Sequence, residues 1–174
     1  MNRNTLLALG LISLLLPHMS AASTKPPFGL KGGRTSIEVL VADFLKAVKS
    51  KDEAALKQLR VSEKEYRDII VPGSVKPGAA PRLDVAPQTS EYFWKMLNQK
   101  SEDYARAFIK GLGGKRVKRK SLKFSKGTRQ FAWYTAHGDV ELVLEDEAGV
   151  AHELHTGTVA EIDGRFKFIG FNTK

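Results

Sequence analysis

The sequence predicts an α+β domain, with helices in its first half and an antiparallel sheet in its second. Three observations carry this. From Tyr134 the even positions Tyr134, Ala136, Gly138, Val140, Leu142 and Leu144 are apolar or small, whereas Thr135, His137, Asp139, Glu141 and Glu145 between them are polar. A period of two with one apolar face is a half-buried strand. The chain then closes on Arg165-Phe-Lys-Phe-Ile-Gly-Phe171, and Glu147-Ala-Gly149 and Asp163-Gly164 supply the turns of a meander. Ahead of it, Thr35/Glu38, Ser50/Glu53 and Ser62/Glu65 each place a hydroxyl three residues before a glutamate, the capping-box signature of a helix start.

The elements follow in order. Arg3 and the apolar run Leu6 to Leu16 form the n- and h-regions of a signal peptide, too short to span a bilayer. Pro17 ends the run, and Ser20-Ala-Ala22 offers small residues for cleavage after Ala22. Residues 1–22 are therefore expected to be removed and the product exported, to a periplasm or the medium. Residues 23–34, with two prolines and three glycines, read as a flexible leader, and residues 35–174 as one domain. Behind Thr35, the residues Ile37, Leu40, Val41, Phe44, Leu45 and Val48 share one helical face. Burying that face contributes roughly 1.5–3 kcal/mol per large side chain. Two short helices follow, one with Leu56 and Leu59, the other with Tyr66, Ile69 and Ile70. Pro72 to Pro87 reads as a long loop, serving as a lid or a surface excursion. Thr89 or Ser90 opens the next helix, which carries Tyr92-Phe-Trp94 and ends at Gly111, Gly113 and Gly114. Val117 to Phe124 bears Lys or Arg on both faces, as suits an edge strand protected from further pairing by charge.

Composition bounds the chemistry. The chain of 174 residues has no cysteine, hence no disulfide, thiolate metal site or cysteine nucleophile. Its formal charge of +9 is concentrated. Between Asp103 and Asp139 there is no acidic residue, but ten basic ones from Arg106 to Arg129. Such a stretch attracts an anionic partner, and Lys118, Arg119 and Lys120 are its centre. It lacks the interleaved aromatics of single-strand binders, and export argues against nucleic acid. An anionic envelope surface is the partner such an edge would suit, and a solvated edge that keeps the protein soluble is the plainer reading. No nucleophile elbow, phosphate-cradling glycine loop or HExxH motif occurs.

Three stretches, Phe44 to Asp52, Glu65 to Pro72 and Glu161 to Phe171, resemble the nuclear transport factor 2-like superfamily, which includes SnoaL-like cyclases and ketosteroid isomerase-like enzymes. The resemblance covers about residues 36–171. It implies a cone-shaped α+β roll, with N-terminal helices packed on a curved antiparallel sheet of about four strands, and a pocket between the long helix and the sheet. It does not fix an activity, because one fold hosts many. The lining it implies, from helical and strand faces, is Tyr66, Trp94, Tyr134 and Thr156, suited to a small apolar or amphipathic ligand.

Two chemistries are weighed against simple binding. In the isomerase-like enzymes a pocket carboxylate abstracts a proton, and Asp43 is the candidate here, with Tyr66 or Tyr134 as phenols. No second acid matches that pattern. His152 and His155 are three apart and point to opposite faces of a strand, so they and His137 are expected at the surface or a pocket rim, without a metal. The sequence thus favours an exported, non-catalytic binding module without a cofactor. An isomerase- or dehydratase-like enzyme and a basic-edge docking module are the alternatives; a monomer or a dimer is compatible with all three.

Overall fold

A computed structural model describes residues 25–172; residues 1–22, expected to be a signal peptide, lie outside the described residues. Among the described residues, five α-helical segments and one π-helical turn precede seven strands. They are α1 (Ile37–Ser50), α2 (Glu53–Gln58), α3 (Glu63–Glu65), which runs through a π-helical turn (Tyr66–Ile70) into α4 (Val71–Gly73), and the 26-residue α5 (Pro87–Leu112). The strands are β1 (Val117–Phe124), β2 (Thr128–Gln130), β3 (Thr135–His137), β4 (Val140–Asp146), β5 (Ala151–His155), β6 (Thr158–Ile162) and β7 (Arg165–Gly170). The fold is α+β. The antiparallel strands form a three-stranded sheet, β1-β4-β5, and a four-stranded one, β2-β3-β6-β7, instead of a single sheet of about four.

Helix starts are where the sequence reading needs adjustment. Ser36, not Thr35, caps α1 and accepts from the Val39 amide. Asp52, not Ser50, caps α2 and accepts from the Ala55 amide. In both cases the alternative capping group sits within two residues, and extended backbone at the chosen position selects it. The third signature is a complete capping box, Ser62 with Glu65. Helix α5 begins at Pro87, without a side-chain cap, because proline at the first helical position costs no hydrogen bond.

A row of irregular residues bends the sheet. The β1–β2, β3–β4 and β5–β6 pairs are three longer strands, each interrupted at the same level. The interruptions are Ser125–Gly127, Gly138–Asp139 and Thr156–Gly157, and hydrogen bonds cross the row from Lys126 N to Gly138 O and from Val140 N to Gly157 O. Asp139 has a left-handed φ of 51° and Gly157 a φ of 110°. The consequence is a switch of faces. Tyr134 and Ala136 join one core with Leu30, Val61, Ile69, Ile70, Trp133, Ala160 and Ile162. Val140, Leu142 and Leu144 join another with the Leu40, Val41, Phe44 and Val48 face of α1, and with Phe108, Val159 and Phe168. The even positions of 134–144 thus serve two cores, not the one that their alternation predicts. Phe44, fully buried, meets Phe108, Phe168 and Phe171 at centroid distances of 5.4–5.7 Å.

The outer edge of β7 is closed by two earlier segments. Arg34 pairs antiparallel with Phe166, and Arg60 lies parallel beside Phe168. Residues 25–34 are accordingly anchored and not a free leader: Leu30 is buried, and the Arg34 and Phe166 amides and carbonyls exchange bonds of 2.9 Å. The loop before α5 is tied back through Ala132 N to Val75 O.

Gly157 is the position at which this bend is least replaceable. A Cβ there would strike the Gly170 carbonyl, and its φ disfavours side chains. Gly157→Ala should destabilise by about 3 kcal/mol or more in chemical denaturation; a midpoint like that of the wild type would show that the bend tolerates a side chain.

Candidate functional site

The segments that close β7 also build a cleft. Lys31, Gly32 and Arg34 form one side, Lys57, Gln58 and the run Arg60 to Glu63 another, Trp94 and Asn98 of α5 a third, and Lys167 of β7 the floor. Its volume is about 780 Å³, within the range of small-molecule sites.

Its chemistry comes from five basic residues and one indole. Lys167 points away from the core under α1 and is buried, with its ammonium 2.8 Å from Glu65. Glu65 is also buried and accepts from the Lys31 amide at 2.7 Å and the Ser62 amide at 2.6 Å. Arg34 meets Asp43 at 2.5 Å. Lys57 lies 3.7 Å from Glu102. Arg60 is 4% exposed, donates to Asn98 at 2.9 Å and sits over the Phe171 ring. Burial pulls its guanidinium below the ordinary arginine value, opposed by the charge of Glu102. Among the described residues no carboxylate lies within ion-pair distance of Arg60, and none is bonded to the Lys31 ammonium. Glu63, the one acidic residue of the lining, pairs with Arg67 at 3.5 Å. Against this charge Trp94 presents a half-buried indole, backed by Tyr66 at a centroid distance of 5.5 Å. Tyr66 belongs to the π-helical turn, an irregularity that recurs at functional sites.

The residues expected to line one pocket do not all converge. Trp94 lines the cleft and Tyr66 supports it. Tyr134 belongs to the core with Leu30 and Ile69, where its hydroxyl and that of Ser74 are 2.7 Å apart and Phe131 stacks on its ring. It borders a separate depression of about 210 Å³. Thr156 is fully buried in the bend and donates to Val140 O. Burial raises both phenols above the ordinary tyrosine range, in Tyr134 against the lowering effect of its bond to Ser74. Asp43 lies on the flank of α1 with Arg34. Among the described residues no carboxylate is hydrogen-bonded to Tyr66 or Tyr134, so the proton-transfer grouping weighed for Asp43 is not assembled.

The basic stretch lies where the edge strand was expected: among the described residues β1 pairs with β4 alone, and Lys118, Arg119 and Lys120 are exposed. Part of its charge is answered locally, because Lys120 pairs with Glu145 at 2.9 Å and Lys123 with Glu141. His137 bonds to Glu161 at 2.8 Å and His152 to Asp146 at 2.8 Å. His155 lies apart from both, among Asp139, Glu141 and Glu153.

Sequence reasoning missed Lys31, Arg60 and Lys167 as cleft residues. Their partners stand 34, 38 and 102 positions away, beyond any local pattern. Comparison with protein-family models, curated proteins and solved structures finds no match to this chain.

Proposed function

We propose that this protein is a non-catalytic binding module that takes a small amphipathic molecule bearing an anionic group in the Trp94 cleft. One observation carries the reading: an indole wall stands beside two cations, Lys31 and Arg60, with which no carboxylate among the described residues forms an ion pair. A ligand with an apolar body and a carboxylate or phosphate head would stack on Trp94 and place its charge near Lys31, Lys57 and Arg60. Arginine is suited to this, because its planar fork meets such heads in two parallel hydrogen bonds. The reading is in keeping with the resemblance to the nuclear transport factor 2-like superfamily, many of whose members hold a ligand beside a curved sheet.

Calorimetric titration with decanoate, below its micelle concentration, tests this. Wild type should bind decanoate more tightly than neutral decanol. Trp94→Ala should weaken decanoate binding roughly tenfold or more, in line with the loss of about 1.5–3 kcal/mol of apolar burial. Lys31→Glu combined with Lys57→Glu should weaken decanoate and spare decanol. Equal affinities for the two ligands, or no effect of either variant, would overturn the proposal.

The apolar run Leu6 to Leu16 and Ser20-Ala-Ala22 further support export. The protein recovered from the envelope fraction or the medium should begin at or near Ser23 when its N-terminus is sequenced. An intact Met1 on protein from the cytoplasm would contradict this.

A further inference from the structure

The face of the three-stranded sheet opposite the helices carries an unusual concentration of charge. Lys123, Glu141 and His155 are direct cross-strand neighbours on β1, β4 and β5, and Glu153 lies two residues from His155 on the same face. Glu141 is 5% exposed and His155 8%, whereas the Glu153 side chain opens to solvent. At the head of the row is Asp139, held in its left-handed conformation by the bend and 1% exposed.

Asp139 determines what His155 can do. One carboxylate oxygen, Oδ2, is 3.2 Å from His155 Nδ1 and accepts from the Ser125 hydroxyl at 2.9 Å. The other, Oδ1, is buried without a hydrogen-bond partner. A carboxylate at Nδ1 makes that nitrogen the donor, which leaves Nε2 as the ring atom aimed outward, able to hold a proton or a metal ion. Nε2 looks onto two further carboxylates, Glu153 Oε1 at 3.0 Å and Glu141 Oε2 at 4.0 Å. A ring nitrogen this close to two carboxylates requires a proton or a metal cation between them. The charges point the same way. Asp139, Glu141 and Glu153 face a single ammonium, Lys123, which leaves a partly buried group in excess of negative charge.

The spacing fits a metal ion. One atom from each of Glu141, Glu153 and His155 lies within 4.8 Å of the other two. Tetrahedral bonds of 2.0–2.2 Å separate neighbouring donors by about 3.4 Å, and the separations of 3.0 and 4.0 Å bracket that value. One imidazole with two carboxylates suits zinc and similar first-row ions; calcium and magnesium prefer all-oxygen shells. We propose that Glu141, Glu153 and His155 form a binding site for a zinc-like divalent ion, with Asp139 orienting the histidine and a coordination position open to solvent beside Glu153. This site is separate from the Trp94 cleft and does not depend on it.

The test is calorimetric titration of the chelator-treated full chain with Zn²⁺ alone, supported by the visible absorption of its Co²⁺ form. Wild type should take up one zinc ion per chain. Glu153→Gln, at an exposed position where the fold is not at risk, should weaken zinc binding at least tenfold, and His155→Gln should abolish it together with the cobalt spectrum. His152→Gln, altering the neighbouring histidine that pairs with Asp146, should bind as wild type does. Absence of zinc uptake by wild type would mean that a proton on Nε2 is the cation of this cluster and would overturn the proposal. Uptake unaffected by Glu153→Gln, or lost with His152→Gln, would overturn it equally.

Discussion

The carboxylate of Glu65 joins, through side-chain bonds, three parts of the chain that backbone bridges to β7 also bring alongside one another. It accepts from the amides of Lys31 and Ser62 and from the ammonium of Lys167. The first donor belongs to the N-terminal segment, the second to a helix start and the third to the last strand. An ionised carboxylate removed from water costs several kcal/mol unless its acceptor capacity is filled. Here two short amide bonds and a buried ammonium fill it. The same three bonds set the floor and two walls of the cleft, so stability and candidate site rest on one group. Arg34 and Arg60, drawn alongside β7, complete the cleft and close an edge that would otherwise invite pairing with another chain.

The second constraint is the bend at Gly138–Asp139 and Thr156–Gly157. A regular strand over 134–144 would send every even side chain to one face. The left-handed Asp139 reverses the parity, so that β3 serves the core under the π-helical turn and β4 the core under α1. The bend also places a buried Asp139 against His155, turning a polar face of the sheet into a cluster of titratable groups.

How much of this was legible in the sequence follows from the range of each interaction. The α1 stripe, the capping box at Ser62 and Glu65, the charged edge strand and the closing strand depend on neighbours within a few residues, and periodicity reveals them. The caps at Ser36 and Asp52 escaped because adjacent residues offer the same chemistry and only backbone conformation selects between them. Trp94 stands out in the sequence as an aromatic of the long helix and lines the cleft, whereas Tyr66 stands behind it, outside the lining. Thr156 was not legible as a bend residue, and Lys167 read as an ordinary polar position of an alternating strand. Its burial depends on Glu65, 102 residues earlier. Asp139 and Glu141 also read as solvent-facing, whereas the bend buries both.

The account therefore depends most on Glu65 and Lys167 acting as one unit. A double-mutant cycle of Glu65→Gln and Lys167→Met, followed by chemical denaturation, measures their coupling directly. Each single substitution should destabilise by about 3–5 kcal/mol, because it leaves the other charge buried and unpaired, and the double variant should lose much less than their sum. Single variants within about 0.5 kcal/mol of wild type, or losses that simply add, would show that the pair does not hold the N-terminal segment, the helix start and β7 together.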